Sequence, residues 1–173
     1  TGQLAQPPVT FPVLEITLFG PRSVRVGVRP LPRLRSSKGL WLLALLALRL
    51  NRDVERDWVA GTLWPDADEA DARRSLRQSL HDLRLALGPA ADRLACDAPR
   101  SLRLEAGEVA AGGLGTGGFV DVSVFDASVS RGDEASLVSA VSVYRGPLLE
   151  DCAEEWALEG RRRREEEYVG ALE

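Results

Sequence analysis

The chain contains no methionine, one histidine (His81), one lysine (Lys38) among 22 basic residues and only two cysteines in 173 residues. A histidine-dependent triad would have to be built around His81, which lies in an arginine-rich segment suited to another task. Cys96 and Cys152 stand far apart without the paired spacing of a zinc site. Free thiols in a cytoplasmic compartment are therefore expected, with no metal and no disulfide framework. Long apolar runs are also missing. The longest, Leu40–Leu48, falls well short of the roughly 18 to 20 residues that span a bilayer, and no signal-peptide pattern opens the chain, so no membrane partner is expected. There is no GK[ST] phosphate loop. One literal G-x-G-x-x-G occurs at Gly113, Gly115 and Gly118, but a dinucleotide site needs a strand before it and a helix directly after it in a parallel βαβ unit. A linker is the plainer reading, and neither catalytic residues nor a cofactor are expected. The missing initiator methionine fits a segment or a processed chain, and the preference for arginine over lysine fits a GC-rich genome.

What is present is unevenly distributed. With 45% hydrophobic residues the chain can bury a core, and its length suits one full domain plus a smaller second one. The net charge of −4 hides an asymmetry. From Thr1 to Leu104, 16 Lys and Arg face 11 Asp and Glu, a balance of +5; from Glu105 onward, 6 face 15, a balance of −9. A basic module joined to an acidic one suits a polyanion-binding head with a protein-contacting or regulatory body.

Residues 1–12 are Pro-rich and read as a flexible arm. Alternation at Leu14, Ile16 and Leu18, then at Val24, Val26 and Val28, with Gly20-Pro21 between, predicts an antiparallel sheet. Pro30 and Pro32 confine the next stretch to an edge. A helix from about Lys38 to Leu50, apolar on nearly all sides, follows a serine cap at Ser36 or Ser37. A second helix spans 57–63 and stops at Trp64-Pro65. A third spans 70–87 and closes at Gly88-Pro89. Residues 93–105 read as a hairpin around Ala98-Pro99-Arg100. Residues 106–118 form a Gly-rich linker, and 119–173 read as three helices, Val120–Arg131, Glu134–Tyr144 and Glu154–Glu173. The four tryptophans, Trp41, Trp58, Trp64 and Trp156, are expected in the core rather than as stacking platforms for single strands. Arg161 to Arg164, flanked by glutamates, are expected to form (i, i+4) pairs on a solvated helix.

The third helix carries the argument about function. Leu76, Leu80, Leu83 and Leu87 recur at steps of four, three and four and form one apolar stripe. At about 100° per residue, Arg74, Arg77, Gln78 and His81 project to the far side, with Arg73 and Arg84 at its edge. A solvated face would mix signs. This one collects long donors suited to phosphate oxygens and to guanine and adenine edges in a major groove. The competing reading is an ordinary amphipathic helix kept soluble by its arginines.

Two groups of segments carry a resemblance. LEITLFGPRSVRV, SSKGLWLLALLAL and RDWVAGTLWPDADEADARRSLRQSLHDLRLALG make Leu14–Glu105 resemble the OmpR-type winged helix of SARP-type bacterial transcriptional activators. VDVSVFDASVSRGD, AVSVYRGPLLE and EEWALEGRRRREEEYVGALE make Asp121–Glu173 resemble the start of the bacterial transcriptional activator domain that follows it in that family. The resemblance implies an α+β winged helix-turn-helix over 13–105. Its parts are an N-terminal four-stranded sheet, three helices and a C-terminal β-hairpin wing, followed by a short all-α, repeat-like segment.

The function implied is that of a double-stranded DNA-binding activator without catalysis. Arg73, Arg74, Arg77, Gln78, His81 and Arg84 form its recognition face, Lys38 meets a phosphate, and Arg100, Ser101 and Arg103 serve the wing. The loop with Trp64, Asp66, Asp68 and Glu69 lies where relatives contact RNA polymerase, and a homodimer on direct repeats is implied. There are departures. Asp82 and Leu85 stand where relatives commonly carry cations, and Glu55 replaces the usual Ser or Thr before the second helix. The alternative from another class is a winged helix turned protein-interaction module in a signalling scaffold.

Overall fold

The computed structural model describes residues 13–96, 98–106 and 118–173. The fold is mixed α+β, with six α-helices and two sheets among the described residues. β1 (Leu14–Thr17) pairs antiparallel with β2 (Ser23–Val26), and β2 with the edge strand β3 (Arg29–Pro30). Gly27, at φ +60°, turns the chain between β2 and β3. Val28, predicted to continue the alternation, is therefore left exposed in the turn.

Ser36 opens α1 (Ser37–Ala47) by accepting the Lys38 N–H at 3.1 Å. Asn51 ends the connection in the left-handed region at φ +60°, which asparagine tolerates better than most residues. Its side-chain oxygen accepts the Ala106 N–H at 3.0 Å. Two residues of β4 (Val54–Glu55) lead directly into α2 (Arg56–Leu63). This strand was not anticipated. It forms a three-stranded sheet with β5 (Leu94–Ala95) and β6 (Ser101–Leu104), in the order β4-β6-β5. α3 (Glu69–Leu87) begins at Asp68, whose carboxylate accepts the Asp71 N–H at 2.8 Å, and ends at Gly88. Residues Gly88–Arg93, partly predicted as strand, form a short 3-10 helix.

The second half joins the first through a strand rather than a helix. Val120 was expected to begin a helix; instead β7 (Phe119–Val120) pairs parallel with β1, with Ile16 opposite Val120, and α4 (Asp121–Arg131) starts one residue later. The first sheet thus has four strands, in the order β3-β2-β1-β7, but its fourth comes from beyond the Gly-rich stretch. The physical reason is Asp121. Its buried carboxylate accepts N–H groups of Leu18 (2.9 and 3.0 Å) and Phe19 (2.9 Å) where β1 ends, and of Val122 (2.8 Å) where α4 begins. Burial pushes its pKa up against the pull of these donors. Gly118 packs where an added Cβ would lie 2.9 Å from the Leu14 carbonyl. Gly113 and Gly115, the rest of that glycine motif, lie outside the described residues.

α5 (Glu134–Val143) and α6 (Glu155–Leu172) complete the chain. Phe19, Phe125, Tyr144 and Tyr168 form a connected aromatic cluster, with Phe19 to Phe125 centroids 5.1 Å apart and Tyr144 stacked on Tyr168 at 4.0 Å. One continuous core therefore runs from the leucines of α1 and α3 through β1 to Phe125, Leu148 and Ala157. Trp41 is buried, while Trp58 is a correction: it is 41% exposed, with the Arg49 guanidinium 4.3 Å above its ring. Trp64 and Trp156 are half-buried against the core.

Arg161 and Arg164 are corrections of the same kind. Arg161 donates to the carbonyls of Leu148 and Cys152, each at 2.7 Å, and to that of Leu149. Arg164, 3% exposed, grips both oxygens of Asp126 at 2.9 and 2.6 Å. Only Arg162 and Arg163 form the expected (i, i+4) pairs, with Glu166 and Glu167 at 4.0 and 3.7 Å. No helix among the described residues is long and apolar enough to cross a membrane.

Candidate nucleic-acid interface

The leucine stripe of α3 positions the candidate face. Leu76, Leu80, Leu83 and Leu87 are all buried, with Ala72 beside them. Burying each leucine is worth roughly 1.5–3 kcal/mol, so the helix cannot rotate without losing several of them. Arg73, Arg74, Arg77, Gln78, His81 and Arg84 are consequently all exposed.

Their partners differ. Arg73 donates through Nε and Nη2 to the two oxygens of Asp57 at 2.7 and 2.8 Å, and Nη2 also meets Glu69 at 2.5 Å. The hydrogen bond to Arg73 holds the Asp57 carboxyl below the usual carboxylate range, and Asp57 raises Arg73 in turn. Arg74 meets Asp71 at 2.6 Å yet keeps 71% of its side chain exposed, so this contact is a solvated one. Gln78 donates to Asp82 at 3.0 Å, so the aspartate at a position of departure orients a neighbouring amide. Arg84 donates to Cys96 Sγ at 2.7 Å, linking the far end of α3 to the strand β5 side of the hairpin. Arg77 and His81 have no side-chain hydrogen bond or ion pair among the described residues.

β4 and β6 fix where the hairpin stands. Val54 pairs with Leu102 and Glu55 with Ser101, and the Arg56 N–H donates to the Arg100 carbonyl at 2.8 Å. A cleft of about 260 Å³ results, lined by Arg56, Asp57, Arg73, Leu76, Arg77, Pro99 and Arg100. Of the expected residues, Arg73, Arg77 and Arg100 are thus gathered in one place. Ser101 lies next to Arg100 at the start of β6, half-buried. Arg103 is held lower on that strand between Asp53 at 2.8 Å and Glu105 at 2.8 Å, and the hydrogen bond to Glu105 raises its pKa. Lys38 is committed elsewhere: its ammonium pairs with Glu154, whose other oxygen accepts the Trp156 indole N–H at 2.7 Å. In the loop before α3, Trp64 is half-buried and caps α2, Asp66 is exposed and Asp68 caps α3, while Glu69, the first residue of α3, holds Arg73.

Arg56 is the cleft residue that sequence reasoning missed. A signal existed, because a cation at the first position of a helix opposes the helix dipole, and Arg56 holds that position in α2.

Fold and site together describe a small α+β chain that presents a cationic helix beside a β-hairpin. No protein-family model and no curated protein sequence matches it. Among solved structures, it is similar to Mycobacterium tuberculosis EmbR in complex with a low-affinity phosphopeptide, at a TM-score of 0.73 and 25% identity over 93% of the chain. The chain spans 44% of the length of EmbR.

Proposed function

We propose that the chain is the DNA-binding part of a bacterial transcriptional activator of the SARP type, with its winged helix followed by the start of an activator domain. α3 enters the major groove of double-stranded DNA, and the β5–β6 hairpin lies on the flanking backbone or minor groove. The observation that carries this reading is the outward sector of α3: every sequence-predicted donor on it is exposed, while the leucines behind it are buried. Support comes from the fold shared with EmbR, a SARP-family regulator. Arg74 and Arg77 read bases, guanine O6 and N7 above all, with Gln78 and His81 adding discrimination. Arg73, Arg84 and Arg100 hold phosphates. The exposed Asp66 and its neighbours suit a protein partner, RNA polymerase in this reading, and two copies bind direct repeats about one helical turn apart. No catalysis, metal or cofactor enters this function, and its place is the bacterial cytoplasm.

The carboxylates on Arg73 and Arg74 favour a second reading, a protein-interaction module, because they neutralise part of the face. Selection of bound sequences from a randomised duplex library, followed by a salt titration, separates the two. A DNA reader enriches one motif, and its affinity falls steeply with salt, as expected when roughly 4 to 6 phosphates are neutralised. No enrichment and a flat salt dependence would leave the interaction module standing.

A further inference from the structure

The positive charge of the first half is densest away from α3. That helix carries four arginines against three acids, whereas Pro21–Lys38 carries six cations and no acid. Two of the six are held by the second half of the chain: Arg22 pairs with Asp151 at 3.0 Å, and Lys38 pairs with Glu154. Arg25 donates to the Val28 carbonyl at 3.1 Å. Arg29, Arg33 and Arg35 are exposed and have no ion pair or side-chain hydrogen bond among the described residues.

Between β2, β3 and the start of α1, this segment encloses a groove of about 550 Å³. Arg22, Arg33 and Arg35 line it, the half-buried Leu31, Leu34 and Leu40 form its floor, and no carboxylate stands on its walls. Its shape is fixed at both ends. The Leu31 N–H donates to the Val24 carbonyl at 2.9 Å, and Leu34 rests on α1 at Gly39, where an added Cβ would lie 2.7 Å from Leu34 Cδ1. Pro30 and Pro32 restrict φ and remove two backbone donors, so the wall between these points is stiff. With Leu34 turned inward, Arg33 and Arg35 on either side of it are both left in solvent.

Carboxylates already meet this cationic stretch. Asp151 and Glu154, from the segment before α6, sit on its first and last members, and Arg22 belongs to the groove as well, so the contact within the chain continues into it. Leucines set between guanidinium groups match a segment that carries both acidic and apolar side chains, whereas a nucleic-acid backbone offers nothing to cover them. The groove shares no lining residue with the α2–α3–hairpin cleft. We propose that it docks an acidic, leucine-bearing segment of a partner protein, with Arg33 and Arg35 taking the carboxylates and the leucine floor the apolar side chains. The inference stands apart from the DNA-binding reading, which uses none of these residues.

The test uses the whole chain and, as probe, a fluorescein-labelled peptide of alternating glutamate and leucine, followed by anisotropy at physiological ionic strength. The chain is expected to bind it and to bind its glutamine counterpart far more weakly. Arg33→Ala combined with Arg35→Ala should weaken the glutamate peptide about tenfold, the sum of two exposed ion pairs. The unfolding midpoint should stay in place, since neither arginine has a partner to lose. Arg77→Ala should bind the peptide as the wild type does, and an unlabelled random duplex should not displace it. No binding of the glutamate peptide, equal binding of the glutamine peptide, or affinity indifferent to Arg33 and Arg35 would overturn the proposal. Displacement by the duplex would assign the groove to nucleic acid instead, and self-association that the double variant abolishes would assign it to a second copy; either would overturn it too. A chain that bound the peptide in this way and no duplex would overturn the DNA-binding reading and leave the docking groove standing.

Discussion

α3 and α6 are both arginine-rich, yet they use arginine in opposite ways. In α3 the buried stripe is Leu76, Leu80, Leu83 and Leu87; in α6 the same steps of four, three and four fall on Ala157, Arg161, Arg164 and Tyr168. Hydrocarbon at the inward positions forces every α3 arginine into solvent. Where guanidinium groups occupy those positions, they become structural. Arg161 closes off the carbonyls of the segment before α6, and Arg164 joins α6 to α4 through Asp126. The number of arginines in a helix therefore says little about anion binding until the inward register is known.

The contrast can be broken most severely at Arg164. Arg164→Ala removes the bidentate hydrogen bonds to Asp126, a carboxylate that is partly solvated and keeps Arg163 at 3.9 Å, and should cost about 2 kcal/mol, read as a lower urea midpoint with an unchanged slope. Combining Arg164→Leu with Asp126→Leu should recover at least half of that loss, since two apolar groups need no partner; a double variant as unstable as the single would refute the structural role.

On α3 the corresponding change leaves stability alone and acts on binding. Arg77→Ala should keep the wild-type unfolding midpoint and weaken the selected duplex by about 2 kcal/mol, with a smaller loss on random duplex. Equal losses on both would move Arg77 from base reading to backbone contact. Arg162→Ala, on the solvated side of α6, should change stability by less than about 0.5 kcal/mol and leave duplex affinity unchanged within error.

The finest test is the charge state of Asp57. Its pKa is depressed by the hydrogen bond from Arg73, so the stabilisation from this pair is present above the ordinary carboxylate value and fades as pH falls through the lowered one. NMR titration should find the Asp57 carboxyl below the usual aspartate range and returned toward it in Arg73→Ala. A midpoint unmoved by that substitution would mean that the pair does not persist in solution.

Much of this was legible beforehand. The 4-3-4 leucine spacing, the Gly88-Pro89 stop and the Ser36-Ser37 cap act over one or two turns of chain, so they located α3, its open face and the start of α1 to within a residue or two; the end of α1, expected at Leu50, falls at Ala47, because the last three residues turn toward Asn51 instead of continuing the helix. β4 escaped notice because two residues carry no periodicity and pair only with a strand far along the sequence. β7 escaped because Phe119 and Val120 run straight into a helical pattern, and only the pairing with β1 and the Asp121 carboxylate separate strand from helix. Lys38 was expected at a phosphate, but its actual partner, Glu154, lies 116 positions away. Arg161 and Arg164 were misplaced because their glutamate neighbours satisfy the (i, i+4) rule as well as any solvated helix does.

What the sequence by itself determined is whatever short-range sterics and periodicity dictate: the helices, their caps and the sector of α3 turned to solvent. The tertiary structure alone decided which distant carboxylate answers each cation, and which cations are left without one among the described residues. That division has a physical cause. Hydrophobic spacing is written along a single helix, whereas an ion pair or an unsatisfied donor such as Arg56 Nε exists only once separate elements, here β4, β6, α2 and α3, have been brought together.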